Sequence, residues 1–197
     1  MRIAAVTAIL AAALPAFAVM PPVPRPEKEL VISEASGKKT LLTSLKGKVV
    51  VVQFLYTTCP HCQAFSRLLT KLYGELGPKG LQAIGVAFDN PQGQPDNAPP
   101  TAAMVTYYNQ QFAGFPVGIA NRDTVMSYLG ISVMDRFVVP QIMIVDRKGT
   151  IQAQSDFMGT EKLQDETYLR KFLGDLLKEG ATTTTSAAPK KAAAPAN

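Results

Sequence analysis

The strongest constraint on the fold is the stretch from Val49 to Leu72, VVVVQFLYTTCPHCQAFSRLLTKL, which contains both cysteines of the 197-residue chain. It begins with a run of β-branched and aromatic residues, which is typical of a strand covered on both faces. It ends with apolar residues at steps of three and four, which predict an amphipathic helix. Cys59, Pro60, His61 and Cys62 lie between these segments. The sequence therefore predicts a buried strand, a short turn with two thiols, and a helix.

The position of the turn relative to the helix favours a reactive thiolate. Pro60 falls at the first position of the predicted helix, where the missing N–H of proline costs no hydrogen bond. Cys59 then lies at the helix N-terminus, whose partial positive charge favours an ionised sulfur. His61 can add positive charge beside Cys59, while Pro60 stiffens the turn. We therefore expect Pro60 and His61 to tune the pKa of Cys59.

Other uses of the cysteine pair fit the spacing less well. A structural disulfide usually closes a long loop, and a pair two residues apart would constrain little of the unfolded chain. A structural zinc ion needs four ligands, whereas the turn offers only Cys59, Cys62 and His61. Haem attachment needs a histidine directly after the second cysteine, and Gln63 is there instead. The pattern favours a redox pair that needs no metal or cofactor, with an inert disulfide as the alternative.

The N-terminal residues 1–18 predict a secretory signal peptide. Arg2 supplies the positive region, Ile3 to Leu14 form an apolar run, and Ala16-Phe17-Ala18 provide a cleavage site. We expect cleavage after Ala18 and an exported protein, periplasmic or extracytoplasmic. An uncleaved membrane anchor is the alternative, but the apolar run is shorter than a spanning helix. No later segment is long and apolar enough to span a bilayer, so we expect no stable membrane insertion after cleavage.

Composition divides the remainder into a linker, one domain and a tail. Residues 19–29 are proline-rich and are predicted to be an extended linker, and residues 30–180 are predicted to form the folded domain. Residues 181–197 are of low complexity and are predicted to be disordered. The formal net charge is +5, but the basic residues are scattered. A nucleic-acid-binding protein would have a clustered basic patch, so we expect no nucleic-acid partner.

Hydrophobic periodicity predicts the remaining elements of the domain. A strand after the first helix indicates a βαβ unit with parallel pairing. A later strand-like segment contains a proline and leads through a turn into an antiparallel return strand. The predicted elements are a hairpin at 30–33 and 40–42, a strand at 81–88, a helix at 102–112, a strand at 115–119, a helix at 123–129, strands at 137–145 and 150–155, and a terminal helix with an apolar stripe from 168 to 177 that ends at Gly180.

Two motifs in this order resemble a known family. The segments GKVVVVQFLYTTCPHC at 47–62 and VVPQIMIVDRKGTI at 138–151 are similar to the TlpA/ResA-like extracytoplasmic branch of the thioredoxin superfamily, also called redoxin or AhpC/TSA-like. The resemblance covers about residues 30 to 178. It implies an α/β, thioredoxin-like fold, in which helices flank a central mixed β-sheet. The helix and strand between Thr101 and Ile119 match that branch's central helix–strand insertion, and the hairpin predicted at 30–42 is N-terminal to it.

The resemblance assigns roles to individual residues. It implies that Cys59 is the nucleophile and that Cys62 resolves the mixed disulfide. Pro140 matches the cis-proline that faces the cysteines, and the backbone of Val139 would pair with an extended substrate. The implied activity is thiol–disulfide exchange without a cofactor. The partners would be protein thiols or disulfides and a separate redox partner that recycles the pair.

Two positions depart from the family pattern. Thr58 replaces an aromatic residue, and Gln53 occupies the place of a buried acid in thioredoxins proper. A neutral amide cannot act as a general base for the resolving cysteine. The Cys-Pro-His-Cys motif is that of periplasmic disulfide-forming oxidases, whereas the rest of the chain is similar to often reducing proteins. Alternative functions are a thiol-dependent peroxidase of the redoxin type and a non-enzymatic metal-delivery or cytochrome-assembly binding module.

Overall fold

A mixed eight-stranded β-sheet forms the centre of the computed structural model, which describes residues 20–88, 100–132 and 134–179. The strand order is β1-β8-β7-β4-β5-β6-β2-β3. The strands are β1 (Arg25–Pro26), β2 (Val31–Glu34), β3 (Lys39–Leu41), β4 (Val49–Leu55), β5 (Leu81–Ala87), β6 (Val117–Ile119), β7 (Gln141–Val145) and β8 (Thr150–Gln154). The helices are α1 (Pro60–Leu76), α2 (Ala102–Phe112), α3 (Arg122–Leu129) and α4 (Glu166–Glu179).

Strand β4 lies in the interior of the sheet, and all seven of its residues are buried. It pairs in parallel with β5 and antiparallel with β7, so its backbone groups are satisfied on both edges. Parallel pairing requires a crossover connection, which α1 provides. The end of β4 and the start of α1 are therefore fixed relative to the sheet.

The two faces of the sheet bury separate hydrophobic clusters. Alternate side chains of β4 point to opposite faces, which explains why six of its seven residues are apolar rather than every second one. One cluster contains Val49, Val51 and Leu55 of β4 with Leu69 and Leu72 of α1 and Leu169 and Leu173 of α4. The other contains Val50, Val52 and Phe54 of β4 with Val125, Met126 and Leu129 of α3.

The predicted α/β architecture is confirmed, including the mixed sheet, the flanking helices, the N-terminal hairpin and the helix–strand insertion. Helix α2 has the predicted bounds, because Thr101 caps its first turn by accepting from the N–H of Met104. Helix α3 ends where predicted, since Gly130 adopts the left-handed conformation that stops a helix. The predicted signal peptide at 1–18, residues 89–99, Gly180 and the predicted tail at 181–197 lie outside the described residues.

Two predicted boundaries are wrong by several residues. Part of the expected linker at 19–29 belongs to the sheet, because Arg25 and Pro26 pair with Ile151 and Thr150 of β8. This pairing satisfies backbone groups on an edge that would otherwise be open. The strand predicted at 137–145 begins only at Gln141, since Pro140 has no N–H to donate to a neighbouring strand.

Within the described ranges, no helix combines the length and apolar character needed to cross a bilayer.

The close contact between β2 and β6 predicts a stability difference between two glycine substitutions. A Cβ atom on Gly118 would lie 2.6 Å from Cγ2 of Ile32 and 2.8 Å from the carbonyl oxygen of Ser33. We expect Gly118→Ala to lower the free energy of unfolding by about 1–3 kcal/mol, because overpacking forces backbone shifts. The measurement is denaturant-induced unfolding of the full chain.

Gly74 of α1 is the matched control, because a Cβ atom there meets nothing within 4 Å. Gly74→Ala should raise the free energy of unfolding by about 0.5–1 kcal/mol, the difference in helix propensity. Equal stability of Gly118→Ala and the wild type would contradict the close approach of the two strands.

Candidate active site

The sulfur of Cys59 lies at the beginning of α1. The helix starts at Pro60, as predicted, and Cys59 is its N-cap residue with an extended backbone conformation (φ −77°, ψ 116°). Its Sγ accepts a hydrogen bond from the backbone N–H of Cys62 at 3.2 Å. The first N–H groups of a helix have no partner within the helix, and here a sulfur atom takes the place of the usual capping oxygen. This geometry favours negative charge on Cys59.

The two cysteines differ in exposure. Both are free thiols, but Cys59 is only partly buried whereas Cys62 has no exposed surface. The helical path places Cys62 under the first turn of α1, where it packs in the same cluster as Phe65 and Leu69. An approaching molecule can therefore reach the sulfur of Cys59 but not that of Cys62.

The environment moves the pKa values of the two thiols in opposite directions. A hydrogen bond with the Cys62 side chain is the main cause that lowers the pKa of Cys59 from 9.0 to about 6. The backbone N–H groups of Cys62 and His61 and the charge of His61 act in the same direction, and partial burial opposes them. Burial raises the pKa of Cys62 well above 9.0, and the hydrogen bond with Cys59 adds to this effect. At neutral pH the pair therefore carries one thiolate and one thiol.

The loop before β7 contacts the exposed cysteine. The Val139–Pro140 peptide bond is cis, and the carbonyl oxygen of Val139 lies 3.8 Å from Sγ of Cys59. The loop is held by Gln141, whose Nε2 donates to the carbonyl oxygens of Val138 at 2.8 Å and Asp156 at 2.9 Å. The structure thus brings together Cys59 and Val139, which are 80 positions apart in the sequence.

The two residues predicted to tune Cys59 lie at the surface. Pro60 and His61 are exposed, as is Thr58 before the first cysteine. His61 borders an open cleft of about 280 Å³ along α1, which is also lined by Ala64, Phe65, Leu68 and Gln164. His61 is therefore open to solvent two positions after Cys59. In the part of the chain that the structure describes, no group of three or more His, Cys, Asp or Glu side chains is arranged to hold a metal ion.

Two residues near the site, Ser66 and Tyr108, are not predicted by sequence reasoning. Gln53 of β4 is fully buried, and its Nε2 donates to the carbonyl oxygen of Cys62 at 2.8 Å. Ser66 donates to Oε1 of Gln53 at 2.7 Å, and the hydroxyl of Tyr108 lies 2.7 Å from the Ser66 oxygen. The sequence contains one signal for Ser66. It lies one helical turn after Cys62 and one turn before Leu69, on the apolar face of the helix, where a polar side chain needs a buried partner.

Comparison with known proteins identifies the family of this chain. The AhpC/TSA family matches residues 15–154. The thiol-disulfide oxidoreductase ResA of Bacillus thuringiensis (strain Al Hakam) is 28% identical over 142 residues, which cover 72% of this chain and 73% of that protein. ResA of Halalkalibacterium halodurans is 24% identical over 139 residues, with 69% of each chain covered.

Solved structures show the same fold. A thiol:disulfide interchange protein of the thioredoxin family from Chlorobium tepidum TLS superposes with a TM-score of 0.61 at 18% identity, covering 80% of this chain and 99% of that one. A thioredoxin-like protein from Aeropyrum pernix superposes with a TM-score of 0.57 at 16% identity, covering 75% and 89%. The predicted thioredoxin-like fold is thereby confirmed. The chain belongs to the AhpC/TSA family and is a ResA-like member of the thioredoxin superfamily.

Proposed function

We propose that this protein is an exported thiol–disulfide oxidoreductase that exchanges disulfides with protein clients through Cys59 and Cys62. The observation that carries the proposal is the half-exposed sulfur of Cys59, with a pKa lowered to about 6, hydrogen-bonded to a buried second thiol. Exchange needs one accessible thiolate and a second thiol within reach. The names of the ResA relatives support the same reaction class.

The first step is attack by the more reactive sulfur. The Cys59 thiolate donates an electron pair to one sulfur of a client disulfide, which forms the Cys59–client bond and breaks the client S–S bond. The other client sulfur leaves as a thiolate. The N–H of Cys62 stabilises the charge on Cys59 before the attack, at an N···S distance of 3.2 Å.

The second step is resolution by Cys62. Its sulfur loses a proton to solvent and attacks Cys59, so the Cys59–Cys62 disulfide forms and the second client sulfur leaves as a thiolate. The two cysteines are oxidised by two electrons, and the client disulfide is reduced. All steps reverse when a client dithiol meets the oxidised pair.

The loop at Val139 is suited to holding an extended client segment. Among the described residues, the N–H of Val139 has no acceptor, and its carbonyl oxygen faces Cys59. These backbone groups can pair with a client strand in the manner of strand addition. Pro140, the residue after Val139, is buried, so it would set the position of the loop. This supports the roles of Val139 and Pro140 as substrate-binding residues.

The first prediction from the proposed function concerns ionisation of Cys59. Its alkylation rate by iodoacetamide in the reduced protein should reach half of its maximum near pH 6 and rise above that pH, because the thiolate is the nucleophile. Cys62→Ala removes the largest stabilising hydrogen bond and should shift the midpoint to higher pH. Cys62→Ser keeps a hydroxyl donor and should shift the midpoint less. A wild-type midpoint near that of free cysteine would contradict the proposal.

The second prediction concerns the reduction potential. A stabilised thiolate stabilises the reduced form, so the disulfide should be more oxidising than that of thioredoxin, at about −270 mV. Equilibration of the full chain with glutathione buffers measures this potential. A value at or below that of thioredoxin would show that the lowered pKa of Cys59 does not govern the equilibrium.

The third prediction concerns trapping of clients in cells. Cys62→Ala cannot resolve the intermediate, so mixed disulfides with client proteins should accumulate in the extracytoplasmic fraction. The variant protein in these adducts should start at Val19. The matched variant Cys59→Ala should form none, because its remaining sulfur is buried. Non-reducing electrophoresis with and without dithiothreitol detects the adducts. Consumption of peroxide without any client adduct would indicate a peroxidase, and the absence of both would indicate a non-enzymatic binding module.

A further inference from the structure

A chain of three buried polar side chains lies directly behind Cys62. Gln53 and Ser66 have no exposed surface, and Tyr108 is 1% exposed. The consecutive distances are 2.8 Å from Nε2 of Gln53 to the carbonyl oxygen of Cys62, 2.7 Å from Oγ of Ser66 to Oε1 of Gln53, and 2.7 Å from Oγ of Ser66 to the hydroxyl of Tyr108. The chain joins β4, α1 and α2.

The direction of every hydrogen bond in this chain follows from the donors available. The carbonyl oxygen of Cys62 can only accept, so the amide nitrogen of Gln53 must face it. Oε1 of Gln53 then accepts the single hydrogen of the Ser66 hydroxyl. Ser66 has no hydrogen left for Tyr108, so the Tyr108 hydroxyl donates to Ser66. All bonds therefore point toward Cys62, an arrangement in which each bond strengthens the next.

The amide of Gln53 has one donor left over. Its nitrogen carries two hydrogens, and only one of them has an acceptor among the described residues, namely the carbonyl oxygen of Cys62. A buried donor without an acceptor is costly. A thiolate on Cys62 would provide an acceptor for this second hydrogen. It would belong to the same residue whose carbonyl oxygen the amide already contacts. The dithiol state does not offer this charge, because burial keeps Cys62 protonated.

Negative charge develops on the Cys62 sulfur at defined moments of the exchange. It appears when Cys62 attacks the mixed disulfide, and when Cys62 leaves from the oxidised pair. Hydrogen bonds to an ionised group are about twice as strong as bonds between neutral groups. An amide can supply such a bond, although it cannot take up the proton as a carboxylate would.

We propose that Ser66 and Tyr108 are positioning residues that hold the Gln53 amide as an uncharged hydrogen-bond donor to Cys62 in the resolving step. This inference rests on the proposed function and deepens it. Ser66 fixes which end of the amide faces Cys62, and Tyr108 fixes the hydroxyl of Ser66. The helix α2 that carries Tyr108 therefore takes part in the chemistry of the cysteine pair, although it contributes no group that reacts.

A chromogenic disulfide separates the two steps in the full-length reduced protein. Cys59 attacks dithiobis(nitrobenzoate), forms a mixed disulfide and releases one coloured thiolate. Cys62 then loses its proton to solvent, forms the Cys59–Cys62 disulfide and releases the second coloured thiolate. Stopped-flow absorbance therefore gives the rate of attack from the first phase and the rate of resolution from the second.

Tyr108→Phe removes only the hydroxyl at the far end of the chain. We expect it to slow the second phase about fivefold, the equivalent of one ordinary hydrogen bond, and to leave the first phase unchanged. Ser66→Ala interrupts the same chain nearer to Gln53 and should slow the second phase at least as much. The matched control is Tyr107→Phe, because Tyr107 is 60% exposed on the same helix and should change neither phase.

A double-mutant cycle separates positioning from a general structural effect. Gln53→Met removes the amide and keeps a similar shape, so it should slow the second phase further. Tyr108→Phe added to Gln53→Met should then cause no additional slowing, because Tyr108 acts through the amide. Unchanged second phases in Tyr108→Phe and Ser66→Ala, or fully additive effects in the cycle, would overturn the inference. Failure of the wild type to release a second thiolate would instead contradict the proposed function.

Discussion

The hydrogen bonds that the Cys59 sulfur accepts at the start of α1 are the interactions on which the site depends. The donors are the backbone N–H of Cys62, at 3.2 Å, and the Cys62 side chain. Both are available only because the chain leaves β4 and enters α1 within a few residues. Burial of β4 on both faces fixes that point in space. The stability of the sheet and the reactivity of the thiol therefore have the same structural origin.

Different burial gives the two cysteine side chains different pKa values. Cys59 is partly exposed and accepts hydrogen bonds, so negative charge on it is stabilised. Cys62 is enclosed, and its negative charge is disfavoured until exchange begins. The proposed order of attack and resolution thus follows from solvent access and local polarity, without any ionisable side chain at position 53.

Local patterns predicted the elements, and distant contacts were harder to predict. The bounds of α2 followed from periodicity, and the parallel pairing around α1 followed from the order of the elements, and both signals act over short stretches of sequence. The approach of Val139 to Cys59 came only from family resemblance, because it joins positions 80 apart. The contact of Ser66 with Tyr108 spans 42 positions and was missed. Strand β1 was missed because two residues show no periodicity.

The replacement of a buried acid by Gln53 separates the rate of resolution from the redox equilibrium. An acid at this position would exchange a proton with Cys62 and add a charge to the reduced state. The amide does neither, because it stays neutral and only donates. The preference for the dithiol state is then set mainly by the stabilised thiolate of Cys59. The chain from Tyr108 to Gln53 acts on Cys62 only while that sulfur carries charge, so it governs how fast an intermediate is released rather than which direction is favoured.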